Sequence, residues 1–281
     1  TPMLFDLPFQ QDRGHPAPAD ANWLQAVLAA LPETGPTITA AVLVHPTYQG
    51  YASDQRPLIE LLHQRGWPVL VDEAHGSHFL TDVDPELPSS ALRSGADLVV
   101  HSMQKSAPGL AQTAVLWQQG ERVDPSGVSR SIGWLQTTSP SALLLASCVT
   151  ALEEWQHLSG RRRLRNRLEE ARTLAERLRQ AGLPLLPTQD PLRLVVHCGR
   201  EGISGFEADA WWLRRGLVAE LPEPATITFC LGLAKHRGLA RQLQRAWQEL
   251  QSAPPGRAAQ PPFEPLPLPL VTRPEASLAR S

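Results

Sequence analysis

In the first half of the chain, short apolar runs stop abruptly at polar clusters and alternate with amphipathic stretches. Val69-Leu70-Val71 ends at Asp72-Glu73-Ala74-His75-Gly76-Ser77-His78, and Ala96-Asp97-Leu98-Val99-Val100 ends at His101-Ser102-Met103-Gln104-Lys105-Ser106. Runs of this kind predict buried parallel strands that deliver polar side chains at their carboxyl ends. Ile38 to Val44 predicts a third buried strand, followed by the loop His45-Pro46-Thr47-Tyr48-Gln49-Gly50. Between strands, Asp54 opens a helix carrying Leu58, Ile59, Leu61 and Leu62, which Gly66 closes. Strand, helix, strand in that order implies a right-handed parallel crossover, which puts the strand ends on one edge of the sheet. Upstream, Asp20 caps a helix from Ala21 to Leu31 with Trp23, Leu24, Val27, Leu28 and Leu31 on one face, ended by Pro32-Glu33-Thr34-Gly35-Pro36. Residues through Pro18 read as a loose strap.

Further on, Thr113 to Trp117 predicts a strand running back through the sheet, Gly120 to Gly127 a polar loop, and Ser141 to Leu152 a buried helix. The basic run Arg161-Arg162-Arg163-Leu164-Arg165-Asn166-Arg167 overlies Leu164, Leu168, Ala171, Leu174, Leu178 and Ala181 at helical spacing, with Glu169, Glu170 and Glu176 interleaved. That pattern reads as a solvated amphipathic helix rather than a nucleic-acid patch. Gly182-Leu183-Pro184 ends it. Strands are expected over 192–198, 216–220 and 226–230, with helices over 205–215 and 235–250. The predicted class is α/β: a layered domain on a mostly parallel sheet over 1–182, a small α+β domain over 183–252, and a Pro-rich extended tail over 253–281.

Bulk composition excludes more than it selects. The 281 residues suffice for a sizeable core, and a net charge of −2 offers no general attraction to nucleic acid or an anionic membrane. Three widely spaced cysteines, Cys148, Cys198 and Cys230, fit a reducing cytoplasm. The apolar run from Ser141 is too short to cross a bilayer.

Lysine usage is the sharpest compositional signal. Of 26 basic residues only Lys105 and Lys235 are lysine. An ion-pairing cation at 105 could equally have been arginine, but an amine can lose its proton and act as a nucleophile, which a guanidinium cannot. Ligands of open α/β sheets bind at the carboxyl ends of strands, and there the chain places Lys105 beside the carboxylate of Asp72. Pyridoxal phosphate needs such a pair: a lysine for its aldehyde, and a buried carboxylate that keeps its ring nitrogen protonated. Ala74 would face the ring with its methyl, His75 would bond the ring hydroxyl, and Ser102 would supply an O–H to the phosphate.

These residues carry a resemblance. Asp72-Glu73-Ala74-His75-Gly76-Ser77-His78-Phe79, followed by Ser102-Met103-Gln104-Lys105-Ser106-Ala107-Pro108-Gly109, resembles the major domain of the ornithine/lysine/arginine decarboxylases. It continues in Pro46-Thr47-Tyr48-Gln49-Gly50, Gln136-Thr137-Thr138-Ser139-Pro140-Ser141, Gly205-Phe206-Glu207-Ala208-Asp209 and Ala219-Glu220-Leu221-Pro222, spanning roughly residues 37 to 250. The resemblance implies a three-layer fold of the aspartate aminotransferase type, pyridoxal 5'-phosphate, and release of carbon dioxide from a basic amino acid by a homodimer or larger homo-oligomer. Lys105, Asp72 and His75 would be catalytic, and Ala74, Ser102, Gln104, Thr138 and Ser139 would contact the cofactor, the last two in the partner subunit. Many members carry His where this chain has Gln104. Nothing before residue 37 matches the family's phosphate-cradling and ring-stacking segment, and Thr1 is no initiator methionine. The expectation is therefore part of a longer polypeptide, a poor enzyme by itself. Four other readings compete: another enzyme of the same fold type, an aminotransferase or aldolase; the helicase DEAH box, for which no phosphate loop is present; a metal on Asp72, His75 and His78, which leaves Lys105 without a role; and a truncated, non-catalytic homologue acting as a binding or structural subunit.

Overall fold

The computed structural model describes residues 3–31 and 37–252. The expected helix stop at 32–36 and the Pro-rich tail from 253 lie outside the described residues. In chain order the elements are β1 (Phe9–Gln10), β2 (His15–Pro16), α1 (Ala21–Ala30), β3 (Ala41–Val44), α2 (Arg56–His63), β4 (Val69–Asp72), β5 (Leu98–Ser102), β6 (Ala114–Gln118), α3 (Pro125–Leu135), α4 (Ala142–Gln156), α5 (Leu158–Gln180), β7 (Leu185–Leu186), β8 (Arg193–Val196), α6 (Gly205–Leu213), β9 (Leu221–Pro222), β10 (Ile227–Cys230) and α7 (Leu239–Gln251).

The first large sheet has the order β3-β4-β5-β6, with β3, β4 and β5 parallel and β6 antiparallel. The capping signals read from sequence operate: Asp20 accepts from the Trp23 amide at 2.7 Å, and Ser141 caps α4. Leu43 packs with Leu24, Leu28, Leu58, Ile59, Leu62, Val69, Val71 and Val99 in one core. Beyond α5, a second, wholly antiparallel sheet has the order β7-β8-β10-β9. Its core joins Leu194, Val196, Ile227, Trp212 and Trp247 to Leu164, Leu168 and Leu178 of α5, and takes in Met103 and Ala107 beside the lysine.

Several expectations need correction. Val42 and Val44 are 68% and 63% exposed, because side chains alternate along a strand and only the Leu43 face of β3 is covered among the described residues. The helix expected to be buried, α4, buries just Ala151 and Trp155 and leaves Leu143, Leu145 and Val149 exposed. A helix, α3, occupies the stretch from Pro125, where Asp124 caps the Ser126 and Gly127 amides; the Asp-Pro start signal was present in the sequence but unused. Residues 216–220 form no strand, and the β9 pairing begins one residue later, at Leu221. The amino-terminal strap is also less loose than its composition suggests: His15 is fully buried, with Nδ1 3.1 Å from Thr226 Oγ1.

The arginine run is occupied within the protein. Arg161 donates to the Thr81 carbonyl at 2.6 Å, Arg165 to Val83 at 2.8 Å and Arg167 to Gly232 at 2.7 Å, while Arg163 pairs with Glu154. No helix of the described residues is long and apolar enough to cross a membrane.

Helix α6 begins with a capping box between Ser204 and Glu207, and Gly205 lies against the β9–β10 turn. A Cβ at 205 would fall 1.9 Å from the Thr226 carbonyl oxygen and 2.3 Å from that of Glu223, both backbone atoms that cannot swing aside. Gly205→Ala should therefore cost about 3 kcal/mol or more, read as a lower urea midpoint at unchanged m-value.

Candidate active site

Parallel pairing sets Val44 opposite Asp72 and Asp72 opposite Val100, so the residues that follow stand side by side at one edge. Those residues are His45, Glu73 and His101. The Glu73 carboxylate, fully buried, receives hydrogen bonds from His45 Nδ1 at 2.8 Å, His101 Nε2 at 2.7 Å, the Ser90 hydroxyl at 2.6 Å and the Ala91 amide at 2.8 Å. Trp117 Nε1 donates to His101 Nδ1 at 2.9 Å. An indole only donates, so His101 holds its proton on Nε2, toward Glu73. Burial alone would raise the Glu73 pKa, but hydrogen bonds from His101 and His45 outweigh it and hold the carboxyl at about 2. One carboxylate thus binds the ends of three strands.

On that base stand the residues predicted from sequence. Asp72 closes β4, yet it is exposed rather than buried, because it lies at the open end of the sheet; its Oδ1 accepts from the Ala74 amide at 3.0 Å. Ala74 and His75 are half-buried. The exposed Lys105 places Nζ 3.1 Å from His75 Nε2. Ser106 joins the two loops, with Oγ 2.7 Å from Ser77 Oγ and 3.2 Å from the His75 carbonyl oxygen. Ser102 ends β5 and is buried; Gln104 is exposed and accepts from the Gln112 amide. Thr138 and Ser139 lie in the exposed loop before α4 and, among the described residues, form no hydrogen bond with Asp72, His75 or Lys105. His78 does not join Asp72 and His75 in a ligand set. It is buried, with Nε2 3.1 Å from Asp190 Oδ1.

The second sheet adds residues that the sequence reading did not single out as site residues. Arg193 of β8, 5% exposed, donates to His75 Nδ1 at 2.7 Å. Its guanidinium pairs with Asp190 at 3.7 Å, and Asp190, which burial alone would raise, is lowered by His78 and Arg193. Burial first, then the charges of Arg193 and Lys105, push the His75 pKa down to about 3. The Tyr48 ring lies 4.5 Å from that of His75, and its hydroxyl donates to Glu220 at 2.6 Å, a bond that with burial lifts the phenol to about 12. An Arg within a run expected to be a strand, with Asp three residues before it, was the one available signal for Arg193; Glu220 had none beyond its place in a motif.

Comparison with known proteins gives the family. Residues 17–187 match the model of the Orn/Lys/Arg decarboxylase major domain. The chain belongs to that family. An uncharacterized protein of Bacillus subtilis, YaaO, is 32% identical over 79% of this chain and 48% of its own length. An arginine decarboxylase of Bacillus cereus is 31% identical over 84% of this chain and 53% of its own. The chain thus spans about half the length of the curated relatives it matches. Among solved structures, the constitutive lysine decarboxylase of E. coli superposes with a TM-score of 0.59 at 19% identity, over 76% of this chain and 36% of that one. Sphingomonas wittichii serine palmitoyltransferase reaches 0.60 at 17% identity, over 82% and 58%. These likenesses establish the fold, which a serine palmitoyltransferase of S. paucimobilis solved with bound pyridoxal phosphate also shares.

The donor set at the strand ends fits that cofactor. An accessible amine and a buried cation meet at His75, and a carboxylate with one oxygen free of protein hydrogen bonds among the described residues ends the strand before it. The Glu73 tie is testable by pH. Its folded pKa of about 2 lies below that of an ordinary glutamate, so its contribution is present above about pH 5 and lost as pH falls toward 2. Glu73→Gln should be less stable at neutral pH and should lose on the order of 3 kcal/mol of this acid sensitivity, as read from urea midpoints at several pH values.

Proposed function

We propose that the chain is the cofactor-binding core of a pyridoxal-phosphate-dependent carboxy-lyase that acts on a basic amino acid. The observation that carries this reading is the convergence of Lys105, His75 and Arg193, with Asp72 at the neighbouring strand end and Glu220 behind Tyr48. Lys105 would hold the cofactor covalently and Asp72 would face its ring nitrogen, with Ala74 and His75 along the ring and Ser102 and Gln104 toward the phosphate. When bound, pyridoxal phosphate supplies the electron sink for a pair of electrons released at the substrate's α-carbon.

The chain's own residues do the rest. Asp72 would keep a proton at the ring nitrogen through its negative charge, and Lys105 would return a proton to the α-carbon. Arg193, buried and cationic, opposes accumulation of positive charge on His75. Glu220 supplies what a decarboxylase of arginine, lysine or ornithine requires, an anion at the site mouth to pair with the distal amine or guanidinium. Its carboxylate is exposed and oriented by the Tyr48 hydroxyl. Relatives named arginine decarboxylase favour arginine among the three. The exposed apolar surface of α3 and α4, with Trp134, Leu135, Leu143 and Leu145, supports self-association in a cytoplasmic homo-oligomer, where Thr138 and Ser139 would reach a partner's site.

The test is carbon dioxide release from arginine, lysine and ornithine by the chain with cofactor, beside a neutral amino acid of similar length. Slow release, from a basic substrate alone, is expected. Glu220→Gln should raise KM for that substrate about 10- to 100-fold with little change in kcat, the loss of one charge-assisted hydrogen bond. Equal turnover of the neutral analogue, or an unchanged KM, would contradict the reading.

A further inference from the structure

We infer that Arg193 is a positioning residue that fixes the tautomer of His75, so that His75 presents an N–H to the Lys105 amine. Arg193 Nη2 lies 2.7 Å from His75 Nδ1, and Lys105 Nζ lies 3.1 Å from Nε2 on the opposite side of the ring. A guanidinium has donors and no acceptor. Nδ1 must therefore offer a lone pair, and the ring's single proton sits on Nε2. Lys105 Nζ stands on that N–H side of the ring.

The charges around the ring agree. Facing His75 are Arg193 and Asp190 from the second sheet, Lys105 from the lysine loop, His78 from the turn that follows it, and the Tyr48 ring from the loop after β3. Burial, Arg193 and Lys105 all act against a second proton on the imidazole, and Asp190 alone among the charged neighbours favours it. The ring is thus neutral at ordinary pH and has one proton to place.

Arg193 is held for this task. It is 5% exposed, its Nη1 donates to the Leu192 carbonyl at 3.3 Å, and the Asp190 carboxylate stands 3.7 Å away. Asp190 Oδ2 has no hydrogen-bond partner among the described residues, while the guanidinium beside it spends an N–H on an imidazole. Gly50 leaves the room for this reach. At φ +91 it lies flat over the arginine, where a Cβ would come within 2.6 Å of Cγ and 2.7 Å of Cβ. The loop after β3 and strand β8 together direct the side chain to Nδ1.

The tautomer itself needs no cofactor; only its use rests on the proposed role of Lys105. The test therefore uses the cofactor-free full chain with histidine labelled by ¹⁵N in the ring. Long-range ¹H–¹⁵N spectra are recorded, and the His75 signals are assigned by their absence in His75→Gln. Wild-type His75 should show a protonated Nε2 and a bare Nδ1, unchanged between about pH 5 and 8. In Arg193→Met, Nδ1 should become protonated in part of the population, and the titration midpoint of His75 should rise by about one unit or more. A proton on Nδ1 in the wild type, or an imidazolium at neutral pH, overturns the inference, as does a folded Arg193→Met whose His75 signals do not move. The wild-type spectrum decides even where the variant fails to fold. Because cofactor is absent, this result can fail while decarboxylation by the same chain is found, and the reverse.

Discussion

A single buried carboxylate organises the molecule. Glu73 is unable to stay ionised in a dry interior without donors, and it finds four, drawn from the end of β3, from β5 and from the loop at Ser90 and Ala91. Each donor is in turn fixed by the carboxylate it serves. An unpaired buried charge costs far more than the net gain of a satisfied one, so the three strand ends have no inexpensive way to separate. The residues immediately before and after Glu73, Asp72 and Ala74, inherit that rigidity although they are themselves accessible.

The reactive face is completed from the second sheet. Asp190 and Arg193 bracket the start of β8 and reach His78 and His75, while Glu220, just before β9, meets Tyr48 from the loop after β3. Every one of these contacts joins residues more than a hundred positions apart in sequence. The site is consequently as dependent on the antiparallel sheet as on the parallel one, and α5, whose apolar face lies in the second core, is the covalent bridge between them.

Much of this was legible beforehand because it is local. Alternating apolar runs, an Asp cap at α1 and a Gly stop at 182 are decided by neighbouring residues, and they placed Asp72 and Lys105 on adjacent strand ends. What depends on distant partners was not legible. The run Asp72-Glu73 does not say which carboxylate is buried; pairing with His45 and His101 decides it. Leu143, Leu145 and Val149 are as apolar as core residues, and only the absence of a covering face among the described residues shows them exposed. Arg193 looked like one more arginine in a chain that uses arginine for nearly every positive charge.

The proposed reading requires that pyridoxal phosphate be bound covalently through Lys105. Its most direct test is a titration of the cofactor into the purified protein, followed by visible absorption. A new band is expected that saturates at one cofactor per chain, is absent in Lys105→Ala and persists in Lys235→Ala. A band that survives in Lys105→Ala, or depends on Lys235, would contradict it.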